Sequence, residues 1–267
     1  MEQTKTPWHV RLAVALALLL PVYFAVAALG TKIGLWSWQV GLGSLVIGAG
    51  PMLLGVVAVV AVVSLILVLR KPPRKGWLLP TFALIVPAGI FAFLAVAGSN
   101  AGNHPIHDVA TDTGNPPQFS AETLAERAQS DANPINDYQS PLSEIEMFEE
   151  APPELAIKSH AQIITDTYSE LAPLPLGGAS QADAVAAVAA AMGEMGFDNI
   201  RSDAEAGRVE GVAETFWFGF KDDVVGRVGE TQIDFRSVSR VGRSDLGANA
   251  ERIKALREAT AARIGQR

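Results

Sequence analysis

The chain has 267 residues, of which 49% are hydrophobic, and it carries no cysteine. The formal net charge of −7 excludes a strongly cationic nucleic-acid binder, because such affinity comes mainly from neutralising phosphates. The lack of cysteine excludes disulfide bonds and thiol catalysis.

Three uncharged apolar runs lie in the first hundred residues, at about 12–28, 44–69 and 77–97. A helix of about 20 apolar residues crosses the bilayer core, so each run predicts a transmembrane helix. The first run also fits a cleaved signal peptide, because a basic start precedes it and Ala25–Ala27 resembles a cleavage site. We expect a retained helix, and the topology of the rest is the same either way.

Basic residues in the short links predict the orientation of these helices. Residues 70–76 carry four Lys or Arg, the N-terminus carries Lys5 and Arg11, and the link between the first two runs has only Lys32. Because such charges favour the cytoplasmic side, the N-terminus and the second link are predicted there. The chain from about residue 100 onward is then outside. This predicts a multi-pass protein of the bacterial inner (cytoplasmic) membrane with a periplasmic C-terminal domain.

The apolar runs contain no Asp, Glu, Lys, Arg or His. Transporters and proton relays usually place ionisable groups at membrane depth, so residues 1–98 are interpreted as an anchor in the lipid bilayer. Residues 103–267 hold twenty-seven Asp and Glu against fourteen Lys and Arg, a net charge of −13. We therefore expect no nucleic-acid partner for the outer domain.

Residues 99–153 are rich in Asn, Pro, Gly and Ser, which predicts an extended linker. One short helix is expected at about 121–128, where Ser120 is a suitable N-cap. A structureless stretch of this length is unusual in a compact domain. Part of it is expected to lie along the surface of the domain that follows.

Residues 154–267 predict an α+β domain: an antiparallel sheet with helices packed on one face. Helices are expected at about 153–171, at 181–195 behind Ser180, and from Leu246 to the C-terminus. Four extended segments precede the last helix, separated by turn signals. These segments cover residues 197–202, 208–220, 222–228 and 231–240.

The turn between the last two segments allows a prediction of strand register. Gly229-Glu230 fits a two-residue hairpin loop, which would place Val228 opposite Thr231. The same register makes Asp223 and Arg236 a cross-strand ion pair on the face away from the core. In the preceding strand Trp217 would point to that second face, which then needs an apolar cover such as the extended segment or the bilayer surface.

Two motifs resemble a known family. "TFWFGFKDDVV" (Thr215–Val225) and "RSVSRVGRSDLGANAERI" (Arg236–Ile253) look like the bacterial and plant family called domain of unknown function 1499. "PIHDVATD" and "NPPQF", upstream, resemble its bacterial branch with N-terminal transmembrane helices. The resemblance covers roughly residues 105–265 and implies no established reaction, cofactor or catalytic residue. Gly226 departs from the bulkier β-formers usual at its position.

A polar centre is predicted around the last helix. Arg240 and Arg243 precede a helix start whose free backbone N–H groups suit an anion. Alternatively, Asp245 occupies those N–H groups and the arginines pair with the protein's own carboxylates. The candidate binding residues are Arg236, Arg240, Arg243, Asp223, Asp245 and Asn249.

Metal and catalytic candidates are weaker. His104, His107 and Asp108 are ligand types that zinc accepts, but their spacing matches no closed metal motif, so no metal is assigned. No catalytic residue is assigned either, because Ser237, Ser239 and Ser244 have no histidine nearby in the sequence.

We therefore expect a membrane-anchored domain without catalysis or cofactor, which binds a lipid, an envelope component or a partner protein. One alternative is an envelope hydrolase or metal-dependent enzyme that uses His107, Asp108 and Asp222. A further alternative is an accessory subunit of a transport complex.

Overall fold

The computed structural model describes residues 6–265. Lys5, used above for orientation, and the last two residues of the predicted domain lie outside this range. The chain divides into two compact units. The first comprises Met1–Ser99 with Phe216–Gly219, and the second comprises Asn100–Thr215 with Phe220–Arg267.

Three long apolar helices form most of the first unit, as the sequence predicts. They are α1 (Trp8–Lys32), α2 (Gly50–Arg70), which continues a π-helix at Gln39–Ala49, and α3 (Leu78–Asn103). Each is long and apolar enough to cross a membrane. Alanines that are fully buried where the helices pack together allow close approach of the backbones; they are Ala13, Ala17, Ala61 and Ala83.

The second unit is built on a six-stranded antiparallel sheet, which confirms the α+β class. The spatial order is β1-β6-β5-β4-β3, and β2 pairs with the same edge of β6 as β1. The strands are β1 (Asp108–Ala110), β2 (Leu174–Pro175), β3 (Asp198–Asp203), β4 (Arg208–Glu214), β5 (Lys221–Val228) and β6 (Gln232–Ser239). The helices are α4 (Ala121–Gln129), α5 (Pro153–Ala156), α6 (His160–Thr167), α7 (Gln181–Glu194) and α8 (Ala248–Arg263), with 3₁₀ turns at Leu142–Glu144 and Glu146–Phe148.

The core lies between one face of the sheet and helices α7 and α8. Because strand side chains alternate between faces, Val224 and Phe235 point into this core, where they join Ile253 of α8. Gly226 also lies on this face. A Cβ there would be only 3.0 Å from Cγ1 of Val188 in α7, so close packing of α7 accounts for the missing side chain.

The second face of the sheet is covered by the segment that the sequence predicts as a linker. Phe119 and Ile135 of this segment pack with Val225 and Val238 of the central strands. The same segment contributes β1, which pairs with β6, and helix α4. Backbone pairing and apolar burial therefore fix this segment on the sheet.

N-cap residues decide where the helices begin. The hydroxyls of Ser120 and Ser180 accept hydrogen bonds from backbone N–H groups of the first turns of α4 and α7, which confirms both predicted starts. The single helix predicted at 153–171 is wrong. Ser159 forms a capping box with Gln162, so a new helix, α6, begins after it.

The predicted register of the last hairpin is also wrong, by two residues. Gly229 N–H donates to Gln232 O (2.8 Å), so the loop is Glu230-Thr231 and Val228 pairs with Ile233. A shift of two preserves the face of every side chain but changes its partner. Asp223 therefore lies opposite Val238 rather than Arg236.

The fourth strand ends earlier than predicted. β4 stops at Glu214 and β5 starts at Lys221, so residues 215–220 form the loop of a hairpin. Thr215 and Phe220 close this loop through a backbone hydrogen bond of 2.8 Å. The alternation predicted for Trp217 does not apply, because it lies in the loop and not in a strand.

Candidate functional site

A buried ion pair joins the two strands at the edge of the sheet. Strand β1 is antiparallel to β6, and Ala110 lies opposite Arg236. Asp108, two residues before Ala110, is therefore the diagonal neighbour of Arg236 on the same face of the sheet. Arg236 donates from Nε and Nη2 to the two oxygens of Asp108, at 2.9 and 2.7 Å. Tyr138 Oη donates a third hydrogen bond of 2.5 Å to Asp108 Oδ1. The two charged side chains are 1% and 0% exposed.

The electrostatics of this pair keep both groups ionised. Burial raises the pKa of Asp108, but the charge and hydrogen bonds of Arg236 outweigh burial and hold the pKa below its ordinary value. Burial acts to lower the pKa of Arg236, but the Asp108 carboxylate outweighs burial and holds this pKa above its ordinary value. Burial, followed by Asp108, raises the pKa of Tyr138 well above its ordinary value, so Tyr138 remains a hydrogen-bond donor.

A second buried carboxylate binds two arginines from different elements. Asp223 accepts hydrogen bonds from Nε and Nη2 of Arg240, at 2.9 and 2.6 Å, and from Nη1 of Arg127 in α4, at 2.5 Å. Arg127 also donates to the carbonyl of Asn133 at 2.7 Å. Asp223 therefore fixes α4 and the chain after it to the centre of the sheet.

A third carboxylate, Glu210 of β4, lies at the start of α4. It accepts hydrogen bonds from Ser120 N, Ser120 Oγ and Thr123 Oγ1, at 2.5, 2.6 and 2.7 Å. A negative charge at a helix N-terminus is favourable because of the free N–H groups and the helix dipole. We call these residues the outer-face network: Asp108, Arg127, Tyr138, Glu210, Asp223, Arg236 and Arg240.

A polar cluster on the opposite face connects α8 to the sheet. Asn249 Nδ2 donates to the carbonyl of His107 (2.7 Å) and to Ser239 Oγ (3.0 Å), and its Oδ1 accepts from Ser237 Oγ (2.6 Å). Arg252 of α8 donates to Asp222 Oδ2 at 2.6 Å. Asn249 is completely buried, so its amide positions the helix.

The N-terminus of α8 is occupied by the protein's own carboxylate. Asp245 accepts hydrogen bonds from the backbone N–H groups of Gly247 and Asn249, at 2.8 and 2.7 Å. Gly247 adopts φ +86, a conformation that favours glycine. Burial raises the pKa of Asp245 above its ordinary value, although these two hydrogen bonds oppose the shift. Of the predicted binding residues, Arg243 is the one with an exposed side chain.

We predict that Asp245→Ala destabilises the first turn of α8 by about 1 kcal/mol, because two backbone donors lose their acceptor. Hydrogen exchange of residues 248–250 in the full-length protein measures this effect. Ser244→Ala is the matched control, since Ser244 Oγ accepts from Leu246 N, before the helix. Equal exchange in both variants would contradict the capping role.

Two buried histidines have ring nitrogens without a hydrogen-bond partner among residues 6–265. These are both ring nitrogens of His107 and Nδ1 of His160, whereas Nε2 of His160 lies 3.2 Å from Nδ2 of Asn136. The His107 ring stacks on Phe148 and the His160 ring stacks on Tyr138. Burial is the largest cause that lowers the pKa of each to about 4, and the charge of Asp108 opposes it. Both rings are therefore neutral at pH 7.

The metal candidates occupy different surroundings. His104 stacks on Tyr168, and its Nδ1 lies 2.9 Å from Tyr168 Oη, whereas Asp108 is saturated by Arg236 and Tyr138. Within residues 6–265 no three His, Asp or Glu side chains come together as metal ligands. The proposed catalytic set is also divided, because Asp222 binds Arg252 on the core face.

Four members of the outer-face network were missed from the sequence: Arg127, Tyr138, Glu210, and Asp108 as the partner of Arg236. Three of them lie in or next to the segment interpreted as a linker. Glu210 lies between apolar Val209 and Gly211 in a predicted strand, so the alternation of side chains places Glu210 on the second face of the sheet. Its partners could not be predicted in this way, because they lie about 90 residues away.

The comparisons with known proteins agree with the resemblance noted in the sequence. A family profile described as "Protein of unknown function (DUF1499)" matches residues 108–260. No curated protein and no solved structure matches the chain. The matched range begins at the first residue of β1 and ends within α8. It therefore includes the outer-face network and the segment that covers the second face.

Proposed function

The chain belongs to the DUF1499 family, and from this premise we propose that its family domain is a non-catalytic binding domain held at a membrane by α1, α2 and α3. It would bind a lipid, an envelope component or a partner protein at the membrane surface. The three long apolar helices support the anchor. The acidic character of residues 103–267 disfavours nucleic acid as the partner.

One observation carries the non-catalytic part of the proposal: the charged side chains of the outer-face network bind one another. Asp108, Asp223 and Arg236 are each at most 1% exposed, and all three have charged partners. Groups held in this way are saturated and have no path to a substrate. Their geometry instead supports a brace between the covering segment and the sheet.

The orientation in the membrane is part of the proposal. The four basic residues of the link 70–76 support a cytoplasmic position for that link. The family domain would then be periplasmic in a bacterial inner membrane. Because the chain has no cysteine, Ala204→Cys in the exposed turn between β3 and β4 can be labelled in intact cells with a membrane-impermeant maleimide. Labelling only after lysis would contradict this orientation.

The binding function is tested by purifying the full-length protein in polymer nanodiscs that retain native lipids, followed by native mass spectrometry. We expect a component retained at stoichiometric level. Arg243→Ala should leave the fold intact, because Arg243 is exposed. Arg240→Ala should weaken the pairing of β5 with β6, because Arg127 is then the remaining arginine partner of Asp223.

Loss of the component in folded Arg243→Ala would place an anion site at this arginine. Retention would place the contact elsewhere on the surface. The absence of any retained component in the unmodified protein would contradict the binding function.

One observation supports the enzyme alternative: among the described residues, the two ring nitrogens of His107, which precedes Asp108 in the sequence, have no hydrogen-bond partner. Elemental analysis of the purified full-length protein separates the two functions. A stoichiometric transition metal would favour the metal-dependent enzyme and contradict the non-catalytic domain.

A further inference from the structure

The loop between β4 and β5 is closed at its base and aromatic at its tip. Thr215 N–H donates to the Phe220 carbonyl (2.8 Å), and Phe220 N–H donates to Thr215 Oγ1 (2.9 Å). Gly219, with φ +67, completes the turn. The hydrogen bonds at the base hold the shape of the loop without the side chains of Phe216 and Trp217.

Two neighbouring aromatic side chains are exposed at this tip. Phe216 is 70% exposed and Trp217 is 53% exposed, and their rings meet edge to face with centroids 5.2 Å apart. The other large hydrophobic side chains exposed within residues 104–265 are isolated in sequence: Leu124, Ile157 and Leu246. Exposed apolar surface of this kind commonly marks an interaction site.

The charge of the loop favours one kind of partner. Residues 215–220 carry no charge, although they lie in a region with a net charge of −13. The loop itself therefore offers no charge to a phosphate or to a charged protein surface, and the ring of Phe216 lies 5.3 Å from Nζ of Lys32, the last residue of α1. Aromatic rings with a polar edge, tryptophan above all, prefer the interfacial zone of a bilayer, where one side is apolar and the other is hydrated.

A bilayer is also the partner that the chain keeps within reach. Helix α3 ends at Asn103 and β1 begins at Asp108, and this connection extends to about 17 Å at most. A tether of this length gives the membrane surface a high effective concentration around the domain, so two aromatic residues suffice where a free protein would need more.

We propose that Phe216 and Trp217 insert into the interfacial zone of the lipid bilayer and make the β4–β5 loop a membrane-docking site. The inference rests on the proposed membrane anchor and deepens it, because it names the lipid surface as a contact of the domain. The docked loop would restrict how the family domain can turn relative to the membrane plane.

The test uses the absence of cysteine from the chain. A spin label is attached at Phe216→Cys in the full-length protein, in phosphatidylcholine nanodiscs, and its collisions with oxygen and with a water-soluble nickel chelate are measured by electron paramagnetic resonance. Oxygen concentrates in the bilayer and the chelate stays in water. Ala204→Cys, in the exposed turn between β3 and β4, is the control for a position in water.

We expect the label at position 216 to collide more with oxygen than with the chelate, and the label at position 204 to show the reverse. Adding Trp217→Ser should shift the label at 216 toward the chelate, while Trp217→Phe should keep it in the interface. The folded core does not depend on these side chains, because both are exposed.

Two results would overturn the inference. A label at 216 that meets the chelate as readily as the label at 204 would place the loop in water. A label protected from both reagents would place the loop against protein. Neither result contradicts the proposed binding function. Conversely, cytoplasmic labelling of Ala204→Cys in cells would contradict the proposed orientation without affecting this test, since a bilayer has an interface on each side.

Discussion

Replacing Arg236 with methionine is expected to destabilise the pairing of β1 with β6 by about 3–5 kcal/mol, the largest effect of any single substitution considered. Removing one partner of a buried ion pair leaves the other charge uncompensated at low dielectric. Asp108 would keep only the hydroxyl of Tyr138 as a partner. A methionine fills much of the same volume, so the loss measures the charge and not a cavity.

Hydrogen exchange of peptides covering β6, in the full-length protein in detergent, measures this loss. Local exchange is required because a chain of two compact units does not unfold in one step. Asp108→Asn combined with Arg236→Met should recover part of the stability, since no unpaired charge remains. Arg208→Met is the control, because the ion pairs of this partly exposed arginine span 3.6 and 3.7 Å and are worth at most about 1 kcal/mol.

A loss below about 1 kcal/mol for Arg236→Met, equal to that of the control, would contradict the brace. A double variant no more stable than Arg236→Met alone would show that the lost packing, and not the charge, dominates the effect.

Acidification from pH 6.5 to pH 4 is expected to destabilise the second unit by about 3 kcal/mol for each of the two buried histidines. Burial lowers the pKa of His107 and His160 from 6.5 to about 4 in the folded protein. Within this window the unfolded chain binds protons that the folded protein does not. Stability is therefore complete above pH 6.5 and is lost as the pH falls.

Two carboxyl groups act differently from the histidines in this titration. Burial raises the pKa of Asp245, so its protonation favours the folded state as the pH falls and opposes part of the loss. The pKa of Asp108 is held below its ordinary value of 3.8 by Arg236 against the effect of burial. Its contribution to stability is therefore lost only at lower pH, outside the histidine window.

The measurement is hydrogen exchange of the strands at several pH values, with each rate corrected for its intrinsic pH dependence. His107→Phe and His160→Phe each keep an aromatic ring in place and should each remove about half of the histidine contribution to the pH dependence. The double variant should remove nearly all of that contribution. An unchanged pH dependence in His107→Phe would show that its ring accepts a proton in the folded state.

Local signals in the sequence predicted most of the elements. Ser120 and Ser180 fix the starts of α4 and α7 because an N-cap acts on backbone groups two or three residues away. The error at 153–171 also has a local origin, since the capping box of Ser159 and Gln162 ends one helix and begins another within three residues. The hairpin error is a choice between two neighbouring turn positions, Gly229-Glu230 and Glu230-Thr231, which local propensity separates poorly.

The outer-face network could be predicted only in part. The sequence indicated that the arginines near the last helix could be satisfied by the protein's own carboxylates. It assigned Arg236 to Asp223, whereas the structure pairs Arg236 with Asp108, 128 residues away, and Asp223 with Arg127 and Arg240. The composition of residues 99–153 indicated a linker, because backbone pairing with a distant strand leaves little trace in composition.

By itself the sequence determined the three apolar helices, the acidic α+β domain that follows them, and its family, because hydrophobic periodicity, caps and motifs act over a few residues. Only the tertiary structure decided that the chain after α3 covers the second face of the sheet, which carboxylate each arginine binds, and that Phe216 and Trp217 form an exposed loop. These features depend on strand register and on contacts between residues far apart in the chain. The buried ion pairs in particular depend on removal of their charges from water, and residues far apart in the chain decide which charges are buried together.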